Sequence, residues 1–167
     1  VSSSVFDGQL KKDQQKYDDI LKMDGSENPY VIHKELGEWM TDNMTVVREN
    51  EKLKKTDEKI QELMERYKKI NISDTGNWSN QTTSFTRQLW NMLELARVMT
   101  IGALMRDESR GAHYKPEFPE RDDENFMKTT KASYTADGPK IEYEDVDASL
   151  IKPRIRDYSS DKKKGDK

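Results

Sequence analysis

Side chains able to make strong directional bonds crowd into one octet, Arg106-Asp107-Glu108-Ser109-Arg110-Gly111-Ala112-His113, and into a second group, Arg121-Asp122-Asp123-Glu124, behind a proline-marked stretch. Guanidinium forks set beside carboxylates form short, bidentate, charge-assisted hydrogen bonds, so ion pairing is the chemistry these residues offer. Two readings stay open: a solvated linker, or a segment ordered by fork-like pairs against a neighbouring surface. Gly111 suits the left-handed position past a helix end. Asp107 and Glu108 then fall near the negative end of the helix dipole, a placement that calls for the guanidinium groups of Arg106 and Arg110.

The rest of the chain is sparse in reactive chemistry. His33 and His113 are far apart, and neither belongs to a spacing that puts two ligands on one helical face, so no metal site is expected. There is no cysteine, which excludes a thiolate nucleophile, a disulfide and a cysteine-held cluster. Phosphate-loop, dinucleotide-glycine and nucleophile-elbow patterns are missing as well. Asn-x-Ser/Thr triplets begin at Asn43, Asn71, Asn77 and Asn80, and loop composition accounts for most of them. The 29 Lys+Arg against 32 Asp+Glu leave a net charge of -3, which offers no overall attraction to nucleic acid. No apolar run approaches the roughly 18 residues of a membrane span, so no direct membrane insertion is expected.

These groups must be positioned by a core drawn from only 32% hydrophobic residues, against 37% charged ones. Part of the chain is therefore not core. A first helix is predicted from about Gln9 to Met23, broken by Asp24-Gly25-Ser26. Asn28-Pro29 then supplies a cap and a first-turn proline for a second helix, whose stripe runs Ile32, Leu36, Trp39, Met40, Met44 and Val47. A third, over Glu49 to Lys69, places Leu53, Ile60, Leu63, Met64 and Tyr67 on a charged background that reads as a solvated face. Asn71 to Gln81 is a loop. Thr83 to Arg106 forms the fourth and most buried helix. Trp39 and Trp90 read as core; Trp78 lies in the loop.

The fold class is all-α: an antiparallel three-helix bundle, spectrin-repeat-like, with an extra N-terminal helix, then an extended tail with a short β-hairpin. The hairpin is read from Thr129–Tyr134 and Lys140–Tyr143 around Ala136-Asp137-Gly138-Pro139. The divisions are 1–27 for the first helix and linker, 28–110 for the bundle, 111–158 for the extended segment and 159–167 for a disordered tail. Val1 in place of a methionine suits processing or excision from a longer protein.

The octet 106–113, followed by Phe-Pro-Glu-Arg-Asp-Asp-Glu-Asn-Phe-Met-Lys at 118–128, resembles the signature of the C-terminal domain of succinate dehydrogenase and fumarate reductase flavoprotein subunits. His-Lys-Glu-Leu-Gly-Glu-Trp-Met (33–40) and Lys-Pro-Arg-Ile-Arg-Asp-Tyr (152–158) are also similar to that family. Many members carry histidine where this chain has Thr129. The resemblance implies a bundle beside an FAD-binding domain that precedes Val1 in the parent subunit. Covalently attached FAD, the dicarboxylate site and its catalytic arginine and histidines would lie in that upstream region.

On the same resemblance, this fragment carries no cofactor, no metal and no catalytic residue. Arg106, Asp107, Glu108, Ser109, Arg110, Gly111 and His113, with Arg121, Asp122 and Asp123, would pack against the missing domain. An iron–sulfur subunit and a quinone-carrying membrane anchor are the implied partners, with the parent complex peripheral on the cytoplasmic face of the membrane. Succinate dehydrogenase is the preferred member. Fumarate reductase, L-aspartate oxidase and a free-standing helical adaptor are the alternatives. Without the upstream domain, the segment from Asp107 to Asn125 is expected to be loosely held.

Overall fold

A computed structural model describes residues 3–76, 78–151 and 153–154. Its elements are α1 (Ser3–Leu21), α2 (Pro29–Asn43), α3 (Asn50–Tyr67), α4 (Gln81–Leu104), α5 (Asp123–Phe126), β1 (Lys128–Ser133) and β2 (Lys140–Asp145). The expected all-α bundle and the hairpin are both present; the tail from 159 to 167 lies outside the described residues.

α2 begins as its sequence dictates. The Asn28 side-chain oxygen accepts from the Tyr30 N–H at 2.8 Å, and Pro29, which lacks a donor, occupies the first turn. Asn80 caps α4 in the same way, accepting from Thr83 N–H at 2.9 Å. α1 starts six residues earlier than its periodicity suggests. Side-chain pairs four apart, Gln9–Asp13, Gln14–Asp18 and Gln15–Asp19, support its polar surface.

The bundle core is made by Ile32 and Leu36 of α2, Ile60, Leu63 and Tyr67 of α3, and Leu89, Leu93 and Ala96 of α4, joined by Ile20 of α1. Full burial of each Leu or Ile is worth roughly 1.5–3 kcal/mol. A second cluster, Met44, Leu53 and Ala103, joins the end of α2, the start of α3 and the end of α4, so the three helices run antiparallel. α4 buries Thr83, Thr86 and Thr100 beside its apolar residues; Met99, whose spacing places it in the apolar stripe, and Leu95, whose position would widen that arc, are exposed. Trp90 is half-buried against the core, its ring 5.0 Å from that of Tyr67; Trp39 is half-buried and Trp78 is exposed. Burial pushes the Tyr67 hydroxyl up to about 12 while it donates to the Thr86 carbonyl.

The α1–α2 link pairs with the strand-like segment after α3 through Gly25 N–H to Ile70 O and Asn71 N–H to Glu27 O. A Cβ on Gly25 would stand 2.1 Å from the Lys69 carbonyl oxygen, so the close approach requires glycine.

The hairpin pairs β1 and β2 antiparallel, Lys128 opposite Asp145 through Ser133 opposite Lys140. Two strands alone are marginal. This pair leans on α4: the Tyr143 hydroxyl donates to the Met105 carbonyl, and Thr130 meets Gly102.

Candidate functional site, a buried ionic node at the bundle end

The node is built where α3 begins and α4 ends. α4 stops at Leu104, two residues short of the predicted end, because Lys115 reaches back to it. The fully buried Lys115 ammonium donates to the Leu104 carbonyl at 3.0 Å and to Asp107 at 2.8 Å, so a cation meets the negative end of the helix. Gly111 does take a left-handed φ of 60°, as its type suggests. It does so in the tight turn closed by Arg110 and His113, however, rather than at the helix cap.

Glu108 is the centre, with none of its side chain exposed. One carboxylate oxygen accepts from Arg106 and from Arg110 Nε (2.9 Å). The other accepts from Arg110 Nη2 (2.9 Å) and the Asp122 N–H (3.0 Å). Burial pushes this carboxyl up, but the bonds from Arg110, Asp122 N–H and Arg106 outweigh it and hold it below the usual glutamate range. Arg110 also donates to Asp123 at 2.7 Å, and Asp123 in turn accepts from Arg121 at 2.6 Å. Arg121 extends the chain of contacts to the Arg154 carbonyl. Arg106 spends its remaining donors on Phe126 O, Lys128 O and Thr130, between the rings of Phe126 and Tyr143.

Ser109 ties the loop to itself, donating to Phe118 O and accepting from the Lys115 N–H. Asp122 caps α5 through the Asn125 N–H. His113 is held between Arg48, whose Nη1 lies 2.8 Å from Nδ1, and the Arg106 carbonyl, 3.0 Å from Nε2. A guanidinium only donates and a carbonyl only accepts, so the ring is neutral with its proton on Nε2. Burial, with Arg48, Lys115 and Arg106 nearby, keeps its pKa below the ordinary value, despite the Arg106 carbonyl bond.

All ten sequence-selected residues therefore meet in one loop system, Gly111 through its backbone. The pairing departs from expectation in one respect. Arg106, Asp107, Glu108, Arg110, Lys115, Arg121 and Asp123 find counter-charges within the chain itself. Four participants were missed: Arg48, Asn50, Lys115 and Glu117. Glu117 accepts the Asn50 N–H at 2.8 Å, and Asn50 donates to Asp107, which anchors the start of α3. Arg48 stands next to the start of α3 and Asn50 is its first residue, whereas Lys115 and Glu117 lie in the loop between α4 and α5 with no local signal.

A second, half-buried network also escaped the reading of α3 as a solvated face. Arg66 forks onto Glu27 (3.1 and 3.0 Å) and reaches Glu35 at 2.8 Å, while Lys59 reaches Glu35 at 3.1 Å. Hydrogen bonds from Arg66 hold both carboxyls below their usual range. His33 lies on the surface, edge-on to Phe85.

Among the described residues of the node, the guanidinium and ammonium donors are directed onto carboxylates and backbone carbonyls of the chain itself. A concavity of about 850 Å³ between α3, α4 and the hairpin tip lies away from the node, and no histidine lines it. Among the described residues, no three His, Cys, Asp or Glu side chains are grouped to hold a metal, and no helix is long and apolar enough to cross a membrane.

A helical bundle closed at one end by an ion-pair loop and a hairpin also occurs as part of longer solved chains. The structure of an E. coli quinol fumarate reductase variant superposes with a TM-score of 0.87 at 35% identity, over 93% of this chain and 27% of that one. Residues 33–158 match the family described as fumarate reductase flavoprotein C-term, and the chain belongs to it. The succinate dehydrogenase flavoprotein subunit of Bacillus subtilis is 63% identical over 164 residues, 97% of this chain and 28% of that protein. The fumarate reductase flavoprotein subunit of Haemophilus influenzae is 35% identical over 162 residues, 96% of this chain and 27% of that protein. The chain thus spans little more than a quarter of the length of these relatives.

The family name implies a flavin in the parent subunit. A dinucleotide cradle uses free N–H groups at a glycine-rich helix start. Here α2 and α4 begin under asparagine caps, and the node's guanidinium groups are turned onto carboxylates and carbonyls of the chain itself.

Proposed function

We propose that this chain is the C-terminal helical domain of a succinate dehydrogenase flavoprotein subunit, a non-catalytic brace for the FAD-binding domain of the same subunit. The parent would oxidise succinate to fumarate, with a hydride passing to FAD and a proton to the enzyme. Electrons would then leave through an iron–sulfur subunit to a membrane anchor and quinone, the complex being peripheral on the cytoplasmic face. The observation that carries this reading is the 63% identity with the B. subtilis succinate dehydrogenase subunit, against 35% for the H. influenzae fumarate reductase subunit. Within the domain, residues 28–110 supply the rigid body. The ten node residues, with Lys115, hold the loop after α4 in the shape that packs on the FAD domain.

The test is to express the complete subunit with its partner subunits and to follow dye-linked succinate oxidation, fumarate reduction and L-aspartate oxidation. Succinate oxidation as the dominant activity is expected; dominance of either other reaction overturns the substrate assignment. The isolated chain should show neither flavin absorbance nor dye reduction, and a bound flavin band would overturn the non-catalytic role.

A further inference from the structure

α1 carries a single apolar stripe that only half the helix uses. Phe6, Leu10, Tyr17, Ile20 and Leu21 recur at steps of four, seven, three and one, inside an arc of about 100° on a 3.6-residue helix, a stripe that Asp13 interrupts midway. In the second half, which packs on α4, Ile20 is buried and Tyr17 and Leu21 are half-buried. In the first half, Phe6 and Leu10 are 66% and 67% exposed, although they extend the same stripe. Val5 beside them is 61% exposed.

We infer that the free half of α1, through Phe6 and Leu10, is the docking face for the portion of the subunit that precedes residue 1. This rests on the function proposed above. Two observations select the occupant. The stripe continues an interface already formed on α4, so its unused half lies in line with a packed surface. The matched family is a C-terminal domain and the chain spans 28% of the B. subtilis relative, so the remaining length joins the chain beside Phe6 and Leu10. The partner surface is accordingly apolar, a shallow groove able to take an aromatic ring and a leucine one helical turn apart. Lys12, well outside the arc, stays solvated.

Amide exchange of the complete subunit tests this. Residues 3–12 should exchange as slowly as residues 13–21, at least tenfold slower than a solvated helix. Phe6→Glu/Leu10→Glu should abolish that protection and raise exchange in a segment outside the 167 residues, with α2–α4 unchanged. Lys12→Glu should change neither, and Phe6→Leu/Leu10→Met should retain protection. Free-helix exchange over 3–12 in the unmodified subunit overturns the inference, as does protection that appears only with concentration-dependent dimerisation, which would make a second copy the occupant. A subunit that oxidises succinate but leaves residues 3–12 unprotected defeats this inference alone. A subunit that neither binds flavin nor oxidises succinate defeats the functional reading instead.

Discussion

The bundle and the node are ordered by opposite means. Between α2, α3 and α4, Ile32, Leu53, Ile60, Leu63, Leu89 and Leu93 are fully buried, and their contribution is non-directional and scales with area removed from water. At the bundle end, Glu108 and Lys115 are equally buried but are charged, and they are tolerable there because each meets opposite charge and further hydrogen bonds. Apolar packing degrades gradually when volume is lost. A buried ionic network fails sharply when one member goes, since the remaining charges stay desolvated.

The comparison is tested most severely at Glu108. Replacing it with alanine leaves Arg106 and Arg110 without their carboxylate and should cost about 3–5 kcal/mol. Chemical denaturation should show the loss, and amide exchange should rise over residues 106–126 before it rises in α2–α4. Uniform acceleration throughout would mean that node and bundle are one cooperative unit. Leu93→Ala removes a fully buried side chain at the α3–α4 contact and should cost about 2–5 kcal/mol, with exchange rising across all three helices. Confinement of that effect to α4 would contradict the shared core.

Acid separates the regions without mutation. The His113 pKa lies below the ordinary 6.5 because the ring is buried as the neutral form. The unfolded chain therefore takes up the proton first on acidification. The stability contributed is whole above about 6.5 and is lost as pH falls through the lowered folded value. Denaturation midpoints should decline over that window, with node exchange rising first. His113→Asn, which keeps an acceptor for Arg48 but does not titrate, should flatten the decline; an unchanged slope would assign it elsewhere. The carboxylates of Glu108 and Asp107, also held low, add their own loss only at more acid pH. Smallest is Asn28→Ala, about 1 kcal/mol from the lost α2 cap, visible as a lower thermal midpoint with the node undisturbed.

The helices were legible because each carries its own periodic signal. Asn28-Pro29 marked α2 to the residue, and the apolar steps in α3 and α4 located both cores. The node was legible as a set but not as a wiring diagram. Arg106, Arg110 and Arg121 are chemically alike, as are Asp107, Glu108, Asp122 and Asp123, so composition does not say which fork meets which carboxylate. Lys115 looked like one more solvated lysine; only the folding back of the loop places its ammonium under the last turn of α4. Arg66 was hidden for the same reason, since Glu27 and Glu35 lie more than thirty residues away.

By itself, the amino-acid order determined the four long helices, their apolar faces, the turn at Ala136–Pro139 and the membership of the charged cluster, while the short α5 lay in a stretch read as extended. Those follow from interactions within a few residues along the chain. Tertiary structure decided that the cluster closes on itself, that His113 is locked neutral, and that half of α1 is left unpacked. The locking of His113 and the closing of Glu108 onto the Asp122 N–H depend on groups distant in sequence arriving within about 3 Å, where hydrogen-bond geometry discriminates between partners that sequence treats as equivalent.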